Sequence, residues 1–203
     1  MVCNGCALAT YKMGIGNKCE FCRTPQPEDD AEILKLVQAR VEKKDPAAIE
    51  HLGGHYAKGK LGLEQDAARA VELWTEAAEL GSAYACYKLG VAYVNGNGVG
   101  QDSERGVRFS EKAAMLGQPD ARHHLGCYEY NLGNYDRGVR HFMISAKMGY
   151  APSLELIKLL SQIGHATKLQ YAEALKGYRD SVEEMKSPER EEAKTHPAFN
   201  RSE

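Results

Sequence analysis

Four cysteines stand within the first 22 residues as two C-x2-C pairs, Cys3/Cys6 and Cys19/Cys22, with twelve residues between the pairs. Thiolates two residues apart on a tight turn present two sulfurs to one face of an ion, and two such turns complete the tetrahedral shell that structural zinc requires. Asn4-Gly5 inside the first pair, with Gly14 and Gly16 in the spacer, supplies residues suited to turning the chain. One closed structural zinc site on Cys3, Cys6, Cys19 and Cys22 is therefore the first expectation, contributing on the order of 10 kcal/mol to ordering the segment. A remnant of a larger finger that binds zinc poorly alone is the alternative, and metal-free thiols are a third.

Other combinations carry less chemistry. GHYAKGK (54–60) follows the phosphate-loop pattern until Leu61, which stands where a hydroxyl should hold magnesium, and it leaves a helix instead of opening one. GNGVG (96–100) has the glycines of a dinucleotide turn but no strand before it. His51 and His55 are four apart without the glutamate of H-E-x-x-H, and His123, His124 and His141 lie further on; packing or surface roles suit them better than ligation. Cys86 and Cys127 occupy helical positions where a small apolar side chain packs, and Trp74 and Phe109 read as core. No catalytic constellation emerges.

Composition narrows the class. The 203 residues are 43% hydrophobic and 27% charged, with a formal net charge of -2, so the excess of basic residues that binds phosphate backbones is missing and nucleic acid is not an expected partner. No run approaches the roughly 20 apolar residues of a membrane helix, and no charged-then-apolar leader opens the sequence, so a membrane partner is not expected either. A reducing compartment, cytoplasm or nucleus, and not secretion, is the expectation, which also favours metal ligation over disulfides for the paired cysteines.

The elements that position these residues repeat. VELWTEAAELG (71–81), VRFSEKAAMLG (107–117) and VRHFMISAKMG (139–149) align on Val71, Val107 and Val139, on Ala78, Ala114 and Ala146, and on Gly81, Gly117 and Gly149. Asp66, Asp102 and Asn134, five residues ahead of the valines, can accept from the free N–H groups of a first turn, and each closing glycine suits the left-handed residue that ends a helix. Upstream of each lies a partner helix marked Leu52-Gly53, Leu89-Gly90 or Leu125-Gly126, followed by Tyr56, Tyr93 or Glu129. A mid-helix glycine costs about 1 kcal/mol against alanine, so its recurrence predicts close approach of helices. A first helix capped by Asp29 or Asp30 precedes the array. A fourth pair without the fixed glycines ends it, with a capping box formed by Thr167 and Gln170.

The pattern A-x3-L-G-x2-Y, a glycine-bearing loop, an acidic cap and a helix ending A-A-x-x-G resembles the Sel-one-like repeat, a relative of the tetratricopeptide repeat. ACYKLGVAYVNGNGVGQDSERGVRFSEKAAMLG (85–117) matches almost throughout, and the resemblance runs over about residues 47–186. It implies an all-α fold, a right-handed α-α solenoid of about four helix pairs, acting as a non-enzymatic adaptor between proteins. CEFCRTP resembles the last ligand pair of a RING-type finger, with Glu20 where proline is usual and Arg23 where many ligases contact the ubiquitin carried by a conjugating enzyme. That family uses eight ligands for two ions, so each cysteine pair would need another before it, where this sequence has Met1 and Val2. Ubiquitin ligation, with the repeats recruiting substrate and a conjugating enzyme as partner, is the alternative function.

The expected organisation is a zinc-binding segment over 1–27, the solenoid over 28–186 and a charged mobile tail over 187–203. In related solenoids the first helix of each pair lines the concave side. Tyr84, Tyr87, Lys88, His123, His124 and Tyr128 fall on those helices, a mixture of aromatic and polar groups suited to gripping a protein or peptide segment.

Overall fold

The computed structural model describes residue 27, residues 29–188 and residues 191–192. Cys3, Cys6, Cys19, Cys22 and Arg23 lie outside them, as does most of the tail. The chain divides into two units, Asp29–Ser181 and a second made of Met1–Glu28 with Val182–Glu203. The first carries the architecture, which is all-α among the described residues: α1 (Asp30–Val41), α2 (Pro46–Lys58), α3 (Ala67–Glu79), α4 (Ala83–Asn95), α5 (Ser103–Met115), α6 (Pro119–Asn131), α7 (Tyr135–Lys147), α8 (Ala151–Gln162) and α9, which runs Lys168–Glu184. The pairs are α2/α3, α4/α5 and α6/α7, each helix from α1 to α7 packs on the next, and α9 shares an apolar cluster with α8 through Ala174.

The helix boundaries follow local chemistry. Asp29 caps α1 through the Glu32 amide, and Asp45 caps α2 ahead of Pro46, whose fixed φ suits a first helical position. Asp66 and Asp102 accept from the Arg69 and Arg105 amides at 2.8 and 2.9 Å. The box at α9 is reciprocal: the Gln170 amide donates to Thr167 Oγ1, and the Thr167 amide to Gln170 Oε1. Asn134 departs from the expected pattern, for α7 has no side-chain cap. Its amide group donates instead to Glu129, 2.8 Å away, a carboxylate standing where the earlier units have Tyr56 and Tyr93. Gly81, Gly117 and Gly149 close α3, α5 and α7 with φ near +90° (94°, 87° and 85°), where any side chain would be strained.

Helices within a pair meet backbone to backbone. A Cβ on Gly126 would lie 2.5 Å from the Phe142 ring; on Gly53 it would meet the Trp74 indole at 2.7 Å, and on Gly90 it would strike Ser110. Facing them are Ala70, Gly106 and Gly138, whose small size completes the approach; the last two were not singled out from the sequence. Trp74, Ser110 and Phe142 occupy one repeat position, and Trp74 also donates its indole N–H to the Glu50 carbonyl at 3.2 Å.

The core forms two clusters. One runs from Ile49 and Leu52 through Leu73, Trp74, Cys86 and Leu89 to Leu125. The other joins Val139, Phe142, Ile157, Leu160 and Ala174. Cys86 is fully buried, as expected of a packing thiol. GHYAKGK forms the C-terminal end of α2, stopped by left-handed Gly59, so no N–H groups face a phosphate there. GNGVG is an inter-helix loop, with Gly98 packed against the Ala67 carbonyl.

Gly126→Ala should lower the urea midpoint by an amount equivalent to about 1–3 kcal/mol, because the new methyl overpacks against Phe142. Gly54→Ala, one residue beyond Gly53 with open space around it, should instead stabilise by up to about 1 kcal/mol. Equal effects of the two substitutions would contradict the close-approach account.

Candidate functional site

The first helices of successive pairs, α2, α4 and α6, bring most of the predicted partner-binding residues together. Tyr84 and Tyr87 lie one turn apart on α4 with ring centroids at 5.6 Å, and the Lys88 ammonium sits over both, 4.8 and 5.5 Å from the centroids. A cation over an aromatic face is attracted by the ring quadrupole, which fixes the lysine and leaves an amphipathic surface. Toward α2, Tyr84 and Lys88 form one wall of a cavity of about 300 Å³ whose opposite wall is Glu50, His51, His55 and Lys58. Toward α6, the Tyr87 ring meets His124 edge-on at 6.3 Å.

His123 and His124 are neighbours in sequence but face different units. His124 Nδ1 lies 3.2 Å from the hydroxyl of fully buried Ser110 on α5. His123 Nδ1 lies 2.8 Å from Ser153 Oγ at the start of α8, and its other nitrogen faces Cys127 Sγ at 3.6 Å. Its ring also contacts Phe142 and Tyr150. Tyr128, on the same helix, is half-buried and joins none of these ring contacts among the described residues.

Burial governs the protonation of this face. It lowers the pKa of both His123 and His124, so each ring is neutral near pH 7; the charge of neighbouring His124 adds to the effect on His123. Tyr87 is pushed up to about 12, first by burial and then by the Asp120 carboxylate. Burial raises Cys127 as well, which keeps its thiol protonated and a poor nucleophile. The Cys127–His123–Ser153 contacts are therefore packing between helices, with no activated nucleophile at their end. His51 and His55 share a 3.2 Å nitrogen contact on α2. Among the described residues no three His, Cys, Asp or Glu side chains assemble as a metal site.

Glu50, Ser110, Asp120, Tyr150 and Ser153 were missed from the sequence. Ser110 had a readable signal, since it replaces the large aromatic found at the same position in the flanking units, Trp74 and Phe142, and the His124 ring bonds into its place.

The family model described as "Sel1 repeat" matches residues 46–82 and 83–118, that is, α2/α3 and α4/α5. Residues 46–118 thus match the Sel1 repeat. A Sel1 repeat protein from Oxalobacter formigenes superposes with a TM-score of 0.64 at 23% identity, covering 89% of this chain and 72% of that one. A protective antigen of uropathogenic Escherichia coli with an SLR fold superposes with a TM-score of 0.51 at 23% identity, over 89% of this chain and 45% of its own. Both show the same architecture. Rattus norvegicus DAP3-binding cell death enhancer 1 is 33% identical over 114 residues, 54% of this chain and 22% of that protein. Chitin synthase regulatory factor 4 of Schizosaccharomyces pombe is 25% identical over 135 residues, 66% of this chain and 21% of that protein. This chain thus spans about a fifth of the length of these curated relatives. No helix among the described residues is long and apolar enough to cross a membrane.

A histidine whose folded pKa lies below its unfolded value binds fewer protons in the folded state, so stability is full above the unfolded pKa and is lost as pH falls toward the folded one. His123, His124 and His141 all have this sign, each lowered mainly by burial from 6.5. Glu50, raised by burial, has the opposite sign and acts nearer 4.5. The urea midpoint should therefore fall between about pH 7.5 and about pH 5.5, and His124→Gln should fall less steeply. A flat profile, or an unchanged slope in the variant, would contradict the burial assigned to these rings.

Proposed function

We propose that this chain is a non-enzymatic scaffold that holds a protein or peptide segment against the first helices of its Sel1 repeats. Such repeats serve as protein-interaction scaffolds, and two of them are matched here. The observation that carries the reading is the unbroken run of contacts from the α2 cavity through Tyr84, Lys88 and Tyr87 to His124. Aromatic rings with few rotatable bonds, interleaved with polar groups, bind peptides at small entropic cost. The face would be the concave side of the stack, which the first helices line in related solenoids, with Tyr128 as a further contact. Among the relatives, the rat protein is named for binding DAP3, and a protein-binding role is what this reading takes from the likeness.

Structural zinc on Cys3, Cys6, Cys19 and Cys22 is part of the same proposal, supported by ligand number and spacing alone. That usage would suit a reducing compartment, cytoplasm or nucleus. The ligase alternative rests on Cys19, Cys22 and Arg23, with no further observation in its favour.

Immobilised chain should capture a defined set of proteins, and that set should be lost on Tyr87→Ala with His124→Ala. Lys88→Glu, which leaves the aromatic rings in place, should weaken capture alone; helical circular dichroism should stay unchanged in both. Capture identical to wild type would defeat the assignment of this face. Purified chain should also retain one zinc per molecule after mild chelation, and none after zinc-supplemented expression would remove the N-terminal site.

A further inference from the structure

The repeat gives an internal comparison on the opposite helices. Arg69, Arg105 and Arg137 occupy one position, three residues past the cap, in α3, α5 and α7. Arg69 is paired with Glu72 at 2.6 Å, and Arg137 with Glu129 at 2.9 Å. Arg105 has neither partner, because Tyr93 stands at the position of Glu129 and Arg108 at the position of Glu72. Its guanidinium lies over the Tyr93 ring, 4.4 Å from the centroid, and within 5.9 Å of Phe109; those two rings are stacked on each other at 5.6 Å. A guanidinium attracted to an aromatic face keeps N–H groups for an acceptor.

Around it the charge is reversed relative to the unit before. Lys112 stands where α3 has Glu76, so Arg105, Arg108 and Lys112 follow one another at helical spacing on one face of α5. With Asp102 and Phe109 they line a cavity of about 380 Å³. The Asp102 carboxylate is engaged in capping the Arg105 amide. Glu104 reaches Arg108 at only 3.5 Å, with both side chains mostly exposed, and Lys112 donates weakly to the Ala78 carbonyl at 3.4 Å.

We propose that Arg105, Arg108 and Lys112 form an oxyanion site that takes a phosphate group, either as a phosphomonoester borne on a side chain or as free phosphate. A carboxylate is satisfied by one guanidinium, as Arg69 and Glu72 show. Three cations facing one cavity fit an anion with a charge near −2 and three acceptor oxygens. The apolar rings of Phe109 and Tyr93 give the group carrying the phosphate a surface to lie on. This site is separate from the face of α2, α4 and α6, and neither depends on the other.

Full-length chain titrated with O-phospho-L-serine should show saturable shifts of the Arg105 and Arg108 side-chain N–H resonances, with a dissociation constant on the order of 1 mM. Serine and acetate should give none. Inorganic phosphate binding as tightly as phosphoserine identifies free phosphate as the ligand, whereas severalfold weaker binding identifies a phosphorylated side chain; both support the site. Arg108→Glu, which restores the residue type of the preceding unit, should weaken binding at least about tenfold. Lys112→Gln should weaken it less. Absence of saturable shifts with either phosphate, equal response to acetate, or wild-type binding by Arg108→Glu would overturn the proposal.

Discussion

Close approach of two helix backbones at a small residue is the constraint on which the rest of this molecule depends. Gly53, Gly90 and Gly126 each lie against a small residue of the facing helix, Ala70, Gly106 or Gly138. With no Cβ in the way, the large side chain of the second helix lies flat across the first, as the Trp74 indole and the Phe142 ring do. The helical propensity given up at each glycine is offset by that burial, since a core aromatic contributes several times the roughly 1 kcal/mol a helical glycine costs. Because the pairs are locked in this way, the outward positions of α2, α4 and α6 follow one another in a fixed register, and side chains distant in sequence become neighbours.

The middle of the array is built differently from its flanks. Ser110, Ser145 and Ser153 are fully buried, and all three bond to α6, through His124, the Pro119 carbonyl and His123. This polar layer lies where the two apolar clusters meet. Buried hydrogen bonds add little net stability but are costly to leave unmade, so they fix orientation more than they bind. The consequence for function is that His123 and His124 are held by their neighbours as neutral rings, so neither presents a charge to a partner.

Much of this was legible in the sequence. Val71, Val107 and Val139 with their closing glycines marked the second helices, the Leu-Gly pairs marked the first, and Thr167 with Gln170 marked the start of α9. The N-cap at Asn134 was misread because capping depends on what else competes for the side chain, and Glu129, five residues back, is invisible to a local pattern. Tyr84, Tyr87, Lys88, His123 and His124 were found from their helix positions, but not their partners. Ser110 and Ser153 carry no motif; they matter through what packs on them, and only comparison of equivalent positions exposes the first. That Arg105 has no ion pair among the described residues is likewise a property of its replaced neighbours, Tyr93 and Arg108, and not of its own identity.

Nuclear Overhauser spectroscopy on the full-length chain measures the central contact directly. Cross-peaks are predicted between the Gly126 α-protons and the Phe142 ring, and between the Gly53 α-protons and the Trp74 indole. Their absence in a folded, helical protein would contradict the packing from which the register of α2, α4 and α6, and with it the proposed binding face, has been derived.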